Sequence, residues 1–148
     1  MRYHDIVVER MLGTTQLVYH STTWADEIIR AGGFEGKTIC RVGDRRMDGT
    51  SFTRSKHFAT QYSDVIFGMD FQRLKTRFKV IPFADDRISI ISDEPGDYRR
   101  EAEEFVAADF IPLEPYLAGI WINASSKDEP EYARARRHKL YRGTFRPQ

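Results

Sequence analysis

Three carboxylates crowd the stretch RREAEEFVAADFIPLEPYL, Arg99 to Leu117, where Glu101, Glu103 and Glu104 fall within four positions before the chain turns apolar. A carboxylate fixed at a strand edge beside a cleft can hydrogen-bond a sugar hydroxyl. It can also stabilise positive charge growing at an anomeric carbon, as glycosidic cleavage through an oxocarbenium-like state requires. Alternate residues of a strand share a face, so Glu101 and Glu103 are expected on one side and Glu104, with Ala102, on the other. The plainer alternative for all three is a solvated strand start.

Two other clusters carry chemistry-bearing side chains. His20 closes the run TQLVYHST between Tyr19 and Ser21, at a strand end from which a side chain can point into a cleft; a lone strand histidine is more often simply packed. The run GTSFTRSKHFATQY sets the hydroxyls of Thr50, Ser51 and Thr53 and the cation Arg54 among Phe52, Phe58 and Tyr62. Such a set can form a slot for a flat heterocycle bearing a phosphate, or be a strand, turn and helix with the aromatics in the core. Metal and nucleoside-triphosphate chemistry find no support. There is no CxxC, HExxH, GxxxxGK[ST] or GxGxxG, and His4, His20, His57 and His138 have no ligand spacing.

These groups must be held by short elements. Thr15–Thr22 is β-branched and aromatic, as a strand is, and TTWADEIIRAGGF behind it has the marks of a helix, with Thr23 as cap, Asp26 at the capping-box position and Gly32 and Gly33 as the stop. EGKTICRVGDRRMDGTSF is expected as a weak strand and an exposed loop carrying Arg41, Arg45 and Arg46. A short helix over Ser55–Tyr62, a strand over Asp64–Phe71, a helical turn in FQRLKTRF and extended KVIPF follow. After a turn at Pro95–Gly96, EEFVAADF and YLAGIWIN close the core. Six or seven short strands with two or three short helices, without βαβ alternation, make an α+β fold.

At 148 residues the chain fits one domain, residues 1–148, ending in a basic segment, 132–148, with six Lys or Arg and no acid. Lys and Arg number 23 against 22 acids, so overall charge points to no polyanionic partner. The single cysteine, Cys40, fits a reducing compartment, by default the cytoplasm. No run approaches the roughly 20 apolar residues of a membrane span, so no membrane partner is expected.

Taken in order, the clusters resemble the ADP-ribosyltransferase superfamily. LVYHSTTWADEIIRAGGF is similar to its L-Y-H-x-T strand and following helix. GTSFTRSKHFATQY is similar to the G-x-Y-F-A block of poly(ADP-ribose) polymerases, whose helix ends in A-x-Y. EAEEFVAADFIPLEPYLAGIWI is similar to the catalytic-Glu strand, with Glu103 standing thirteen positions before Tyr116. RREAEEFV also resembles the bacterial toxin group that modifies thymidine in single-stranded DNA, and small phage-encoded proteins of that type. The resemblance implies split mixed β-sheets flanked by short helices, and NAD as co-substrate.

It further implies that His20, with Ser21 and Thr22, meets the adenosine ribose, that Tyr62 and Phe52 stack on nicotinamide, and that Thr53 and Arg54 make hydroxyl and phosphate contacts. Glu103 becomes the catalytic carboxylate, with Arg54 assisting as in the DNA-targeting group. Glu101, Arg45 and Arg46 face the acceptor, which is single-stranded DNA, RNA or a protein. Two other readings stand beside this one. The first is a non-catalytic binding module using the basic end, with Tyr132, Tyr141 and Phe145 as stacking residues. The second is a small nuclease using His20, His57 and a Glu.

Overall fold

A computed structural model describes residues 15–42, 45–82, 88–91 and 103–147. The fold is α+β: one large mixed sheet, a small two-stranded sheet and a few short helices. The strands are β1 (Leu17–Thr22), β2 (Gly33–Glu35), β3 (Thr38–Val42), β4 (Arg45–Thr53), β5 (Val65–Asp70), β6 (Lys79–Pro82), β7 (Ile88–Ile91), β8 (Glu103–Ala107), β9 (Phe110–Pro112), β10 (Leu117–Asn123) and β11 (Tyr141–Phe145). The helices are α1 (Ala25–Ala31), α2 (Lys56–Tyr62), α3 (Phe71–Arg77) and α4 (Ala133–Arg136), the last preceded by a 3-10 turn at Pro130–Tyr132.

Local chemistry sets several boundaries. The N–H of Gly32, left-handed at φ 77°, donates back to the carbonyls of Ile28 and Ile29 and closes α1. Ser55 and Asp70 cap α2 and α3, accepting from the backbone N–H of Phe58 and Arg73. At the start of α1 the structure differs from expectation. Trp24, not Thr23, is the cap residue and gives no side-chain cap; the Thr22 hydroxyl accepts from the Trp24 N–H at 2.9 Å, and Asp26 pairs with Arg30 and Arg134.

The large sheet runs β11-β10-β5-β1-β4 and forks at β4, which continues both to β3 and β7 and to β8 and β6. The expected Gly- and Arg-rich loop is therefore mostly hairpin: Thr38 to Val42 pairs with Gly49 to Arg45, with Arg41 opposite Arg46. Gly49 allows the close approach of β8, because a Cβ there would stand 2.1 Å from the Val106 carbonyl oxygen.

One junction in the sheet is thin. β1 lies alongside β5 over six paired positions and β4 alongside β8 over four, yet β1 and β4 meet at a single one, Tyr19 opposite Thr53. The main core, with Val18, Phe34, Phe52, Phe67, Ile111 and Ile120, lies on one face of this junction. A smaller cluster of Ala59, Ile66 and Phe145, with Tyr19 and Trp121 against it, lies on the other, under α2.

The basic C-terminal segment is part of the fold. β11 pairs in parallel with β10, Phe145 and Tyr132 are buried, and the Tyr132 hydroxyl donates to Asp64 at 2.9 Å. Its cations are largely engaged: Arg134 with Asp26, Arg136 with the Lys127 and Glu129 carbonyls, Lys139 with Glu114, and Arg142 with the Ala118 carbonyl. Among the described residues no helix is long and apolar enough to cross a membrane.

Candidate functional site

Where β1 and β4 part, the His20 side chain replaces the missing ladder. Its Nδ1 lies 2.9 Å from the Ser51 carbonyl oxygen. A carbonyl can only accept, so Nδ1 carries the proton and Nε2 of the neutral ring is left as an acceptor. Burial pushes the imidazole below its ordinary range, and the Ser51 hydrogen bond opposes that shift only in part. Phe34 and Phe52 pack edge-on against the ring, with centroids 5.0 and 5.7 Å away, and fix its orientation.

His20 opens on a cleft of about 520 Å³, bounded by the end of β1, helix α1, strand β2 and the middle of β4. Its volume falls in the range of small-molecule sites. Thr22, Trp24, Glu27, Phe34 and Thr50 line it with His20, and Lys37 stands at the rim. Thr50 is 3% exposed, and its Oγ1 has no hydrogen-bond partner among the described residues. A buried hydroxyl left unmatched is costly, which singles Thr50 out on this wall.

The opposite side of the junction holds the second group of residues. Register places Tyr19 opposite Thr53 and Thr53 opposite Glu103, so three neighbouring strands bring Glu103 within two strand spacings of Tyr19. Ser51, Thr53, Glu103 and Phe105 share one face of the β4–β8 pair. The Ser21 and Ser51 hydroxyls are enclosed there without hydrogen-bond partners among the described residues. Glu103 is 8% exposed at the first position of β8, and Tyr62, 55% exposed, ends α2.

The remaining expected site residues fall elsewhere. Phe52, 2% exposed, points to the face opposite Ser51 and sits in the core against His20 and Phe34, so it offers no open ring for stacking. Parity along β4 puts Ser51, not Phe52, toward the Glu103 side. Arg54 pairs through Nε with Glu104 Oε1 at 3.1 Å, and Glu104 is buried rather than solvated, at 5% exposed. Burial raises the Glu104 carboxyl above its ordinary range, partly offset by Arg54 and Lys75. Arg46 is exposed and reaches Asp48 at 4.0 Å. Arg45 lies in β4 with its side chain outside the described residues, and Glu101 also lies outside them.

Sequence spacing alone puts Trp24 with Ile28 and Ile29, at i, i+4 and i+5, on one helix face and so does not mark it as a site residue. In the structure the two isoleucines pack against the core while the indole is 66% exposed on the cleft. Although Trp24 stands four positions before Ile28, it is the cap residue with non-helical backbone, so the helical spacing does not carry its side chain to the buried face. Among the described residues no cluster of His, Cys, Asp and Glu could hold a metal ion. Comparison of the chain with family models, curated proteins and solved structures finds no match.

Proposed function

We propose that the chain is an NAD-dependent mono-ADP-ribosyltransferase, cleaving the nicotinamide–ribose bond and passing ADP-ribose to a macromolecular acceptor, a nucleic acid or a protein. The observation that carries this reading is the junction of β1 and β4. There a neutral histidine fills the gap between the strands on one face, and the Tyr19–Thr53–Glu103 register sets a shielded carboxylate on the other face of the same junction. The separation of the two strand groups at this junction is in keeping with the split sheets of the ADP-ribosyltransferase fold.

In this reading the cleft takes the adenosine end of NAD. His20 Nε2 and the Thr50 hydroxyl meet ribose oxygens, and the enclosed hydroxyls of Ser21 and Ser51 face the nicotinamide half with the exposed ring of Tyr62. Glu103 holds the nicotinamide ribose and stabilises the positive charge at its anomeric carbon. Nicotinamide departs with the electron pair of the broken C–N bond, and the acceptor nucleophile bonds to the same carbon and gives up its proton. One fixed carboxylate suffices for this. Arg54 is tied to Glu104 and contributes by holding the ends of β4 and β8 together.

The test is incubation of the purified chain with NAD labelled in its adenylate phosphate, in the presence of cell lysate. Labelled product is divided by nuclease and protease treatment, and free nicotinamide is quantified. Time-dependent nicotinamide release that disappears in Glu103→Gln supports the reading. Release unchanged in that variant, or none in the wild type with either class of acceptor, rejects it.

A further inference from the structure

The most exposed large apolar side chain among the described residues is Trp24, and it stands at the cleft rather than on a featureless surface. Its position is fixed from the backbone. The buried Thr22 hydroxyl holds the Trp24 N–H, and the Trp24 carbonyl accepts from Ile28 to open α1. These two bonds set the Trp24 backbone at the head of α1, on the wall of the cleft. The same cleft is lined by Thr50, whose enclosed hydroxyl has no hydrogen-bond partner among the described residues, and by His20 with its acceptor nitrogen, polar groups that suit a ribose. An indole costs free energy when left in water, and its flat π-face suits a flat heterocycle.

We propose that Trp24 is the base-stacking wall of this cleft for an adenine nucleotide, the base lying on the indole while its ribose lies toward His20 and Thr50. The inference rests on the cleft being the adenosine end of an NAD site, but it concerns a residue outside the junction that would carry the chemistry. Stacking uses the face of the base, so affinity follows the ring at position 24 and not its hydrogen-bonding capacity.

The chain contains two tryptophans, Trp24 and Trp121, and Trp121 lies under the Lys56 ammonium against Tyr19, away from the cleft. Emission can therefore be assigned by substitution. AMP, ADP-ribose and ribose 5-phosphate are titrated into the wild type, Trp24→Phe, Trp24→Ala and Trp121→Phe, by fluorescence and by calorimetry, with melting curves confirming that each variant is folded. AMP and ADP-ribose are expected to quench the wild type and Trp121→Phe but not Trp24→Phe. Trp24→Ala is expected to weaken AMP binding roughly 5- to 150-fold, the span of one base–aromatic stack, with Trp24→Phe between it and the wild type and ribose 5-phosphate indifferent to position 24.

AMP affinity unchanged in a folded Trp24→Ala overturns the stacking assignment while leaving NAD chemistry at Glu103 standing. No calorimetric binding of either adenine compound to the wild type overturns both. Trp24-dependent AMP binding without nicotinamide release upholds the stacking wall and rejects the transferase.

Discussion

His20 Nδ1 and the Ser51 carbonyl oxygen, 2.9 Å apart, form the bond that stands in for a ladder hydrogen bond between β1 and β4. The side chain at once keeps the two strands apart and satisfies the carbonyl their parting leaves open. A packed histidine and a cleft-lining one are here the same residue. The strand gap that gives the site its shape depends on the ring that also lines it.

Burial of this ring, only partly opposed by its bond to Ser51, makes stability depend on pH in a defined direction. Burial lowers the His20 pKa on folding, so just below the ordinary imidazole value the unfolded chain binds more protons than the folded one. Stability is then fully present above about pH 6.5 and is lost as pH falls below it toward the lowered folded value. His138, lowered chiefly by burial, acts in the same sense, whereas Glu104, raised by burial, favours the folded state as pH falls toward the carboxylate range. The urea midpoint is expected to drop between pH 7 and pH 5 in the wild type. It should drop less in His20→Asn, which is also less stable at pH 7.

If Glu103 acts on the developing cation, its loss shows in turnover. Glu103→Gln keeps the volume of a buried side chain and removes its charge. Nicotinamide release is expected to fall by about 100- to 1000-fold in kcat with little change in KM for NAD. A KM effect alone would reassign Glu103 to ground-state binding.

Arg54 and Glu104 form an ion pair with one buried and one half-exposed partner. Removing the arginine strands the carboxylate, so Arg54→Ala is expected to cost about 1–2 kcal/mol, less than a fully buried pair because solvent screens the guanidinium. Adding Glu104→Gln should recover part of this loss, measured by denaturant unfolding in a double-mutant cycle. A purely catalytic Arg54 would show no such recovery.

Gly33 brings β2 against β9 beside the cleft. A Cβ at this position would lie 2.2 Å from the Ile111 carbonyl oxygen and 2.8 Å from Pro112 Cα, backbone atoms that cannot step aside. Gly33→Ala is expected to destabilise by about 1–3 kcal/mol and, by displacing the strand next to Phe34, to weaken AMP binding. Thermal melting and calorimetry on the same variant check the two effects.

The C-terminal segment gives the opposite of a detachable arm. Deleting residues 132–148 removes β11, the Tyr132–Asp64 bond and a strand neighbour of β10. Loss of the cooperative thermal transition is expected. A truncated chain that melts cooperatively and loses only salt-dependent nucleic-acid binding would restore the arm reading.

Elements governed by neighbouring residues were legible in the sequence. The strand over Leu17–Thr22, the stop at Gly32, the short helix ending at Tyr62 and the apolar run Leu117–Asn123 all follow from local spacing. Features decided across the sheet were not. The β3–β4 hairpin has a loop-like Gly and Arg composition and is held by pairing on both sides. The inward turn of Phe52 depends on which face β4 gives to β8, and β11 hides behind a charge run whose cations are spent on carbonyls and carboxylates from other segments. Of the site, the residue types were visible at His20 and Glu103, while the cleft itself is walled by α1, β2 and β4 and has no linear signature.

The line Tyr19–Thr53–Glu103 joins segments 34 and 50 residues apart along the chain. Such non-local pairing carries a loop-closure cost before it gives any reward, whereas the β3–β4 hairpin and the three short helices after β1, β4 and β5 can form from near neighbours. Glu103 is therefore expected to reach its place late in refolding, after the local hairpin and helices have formed.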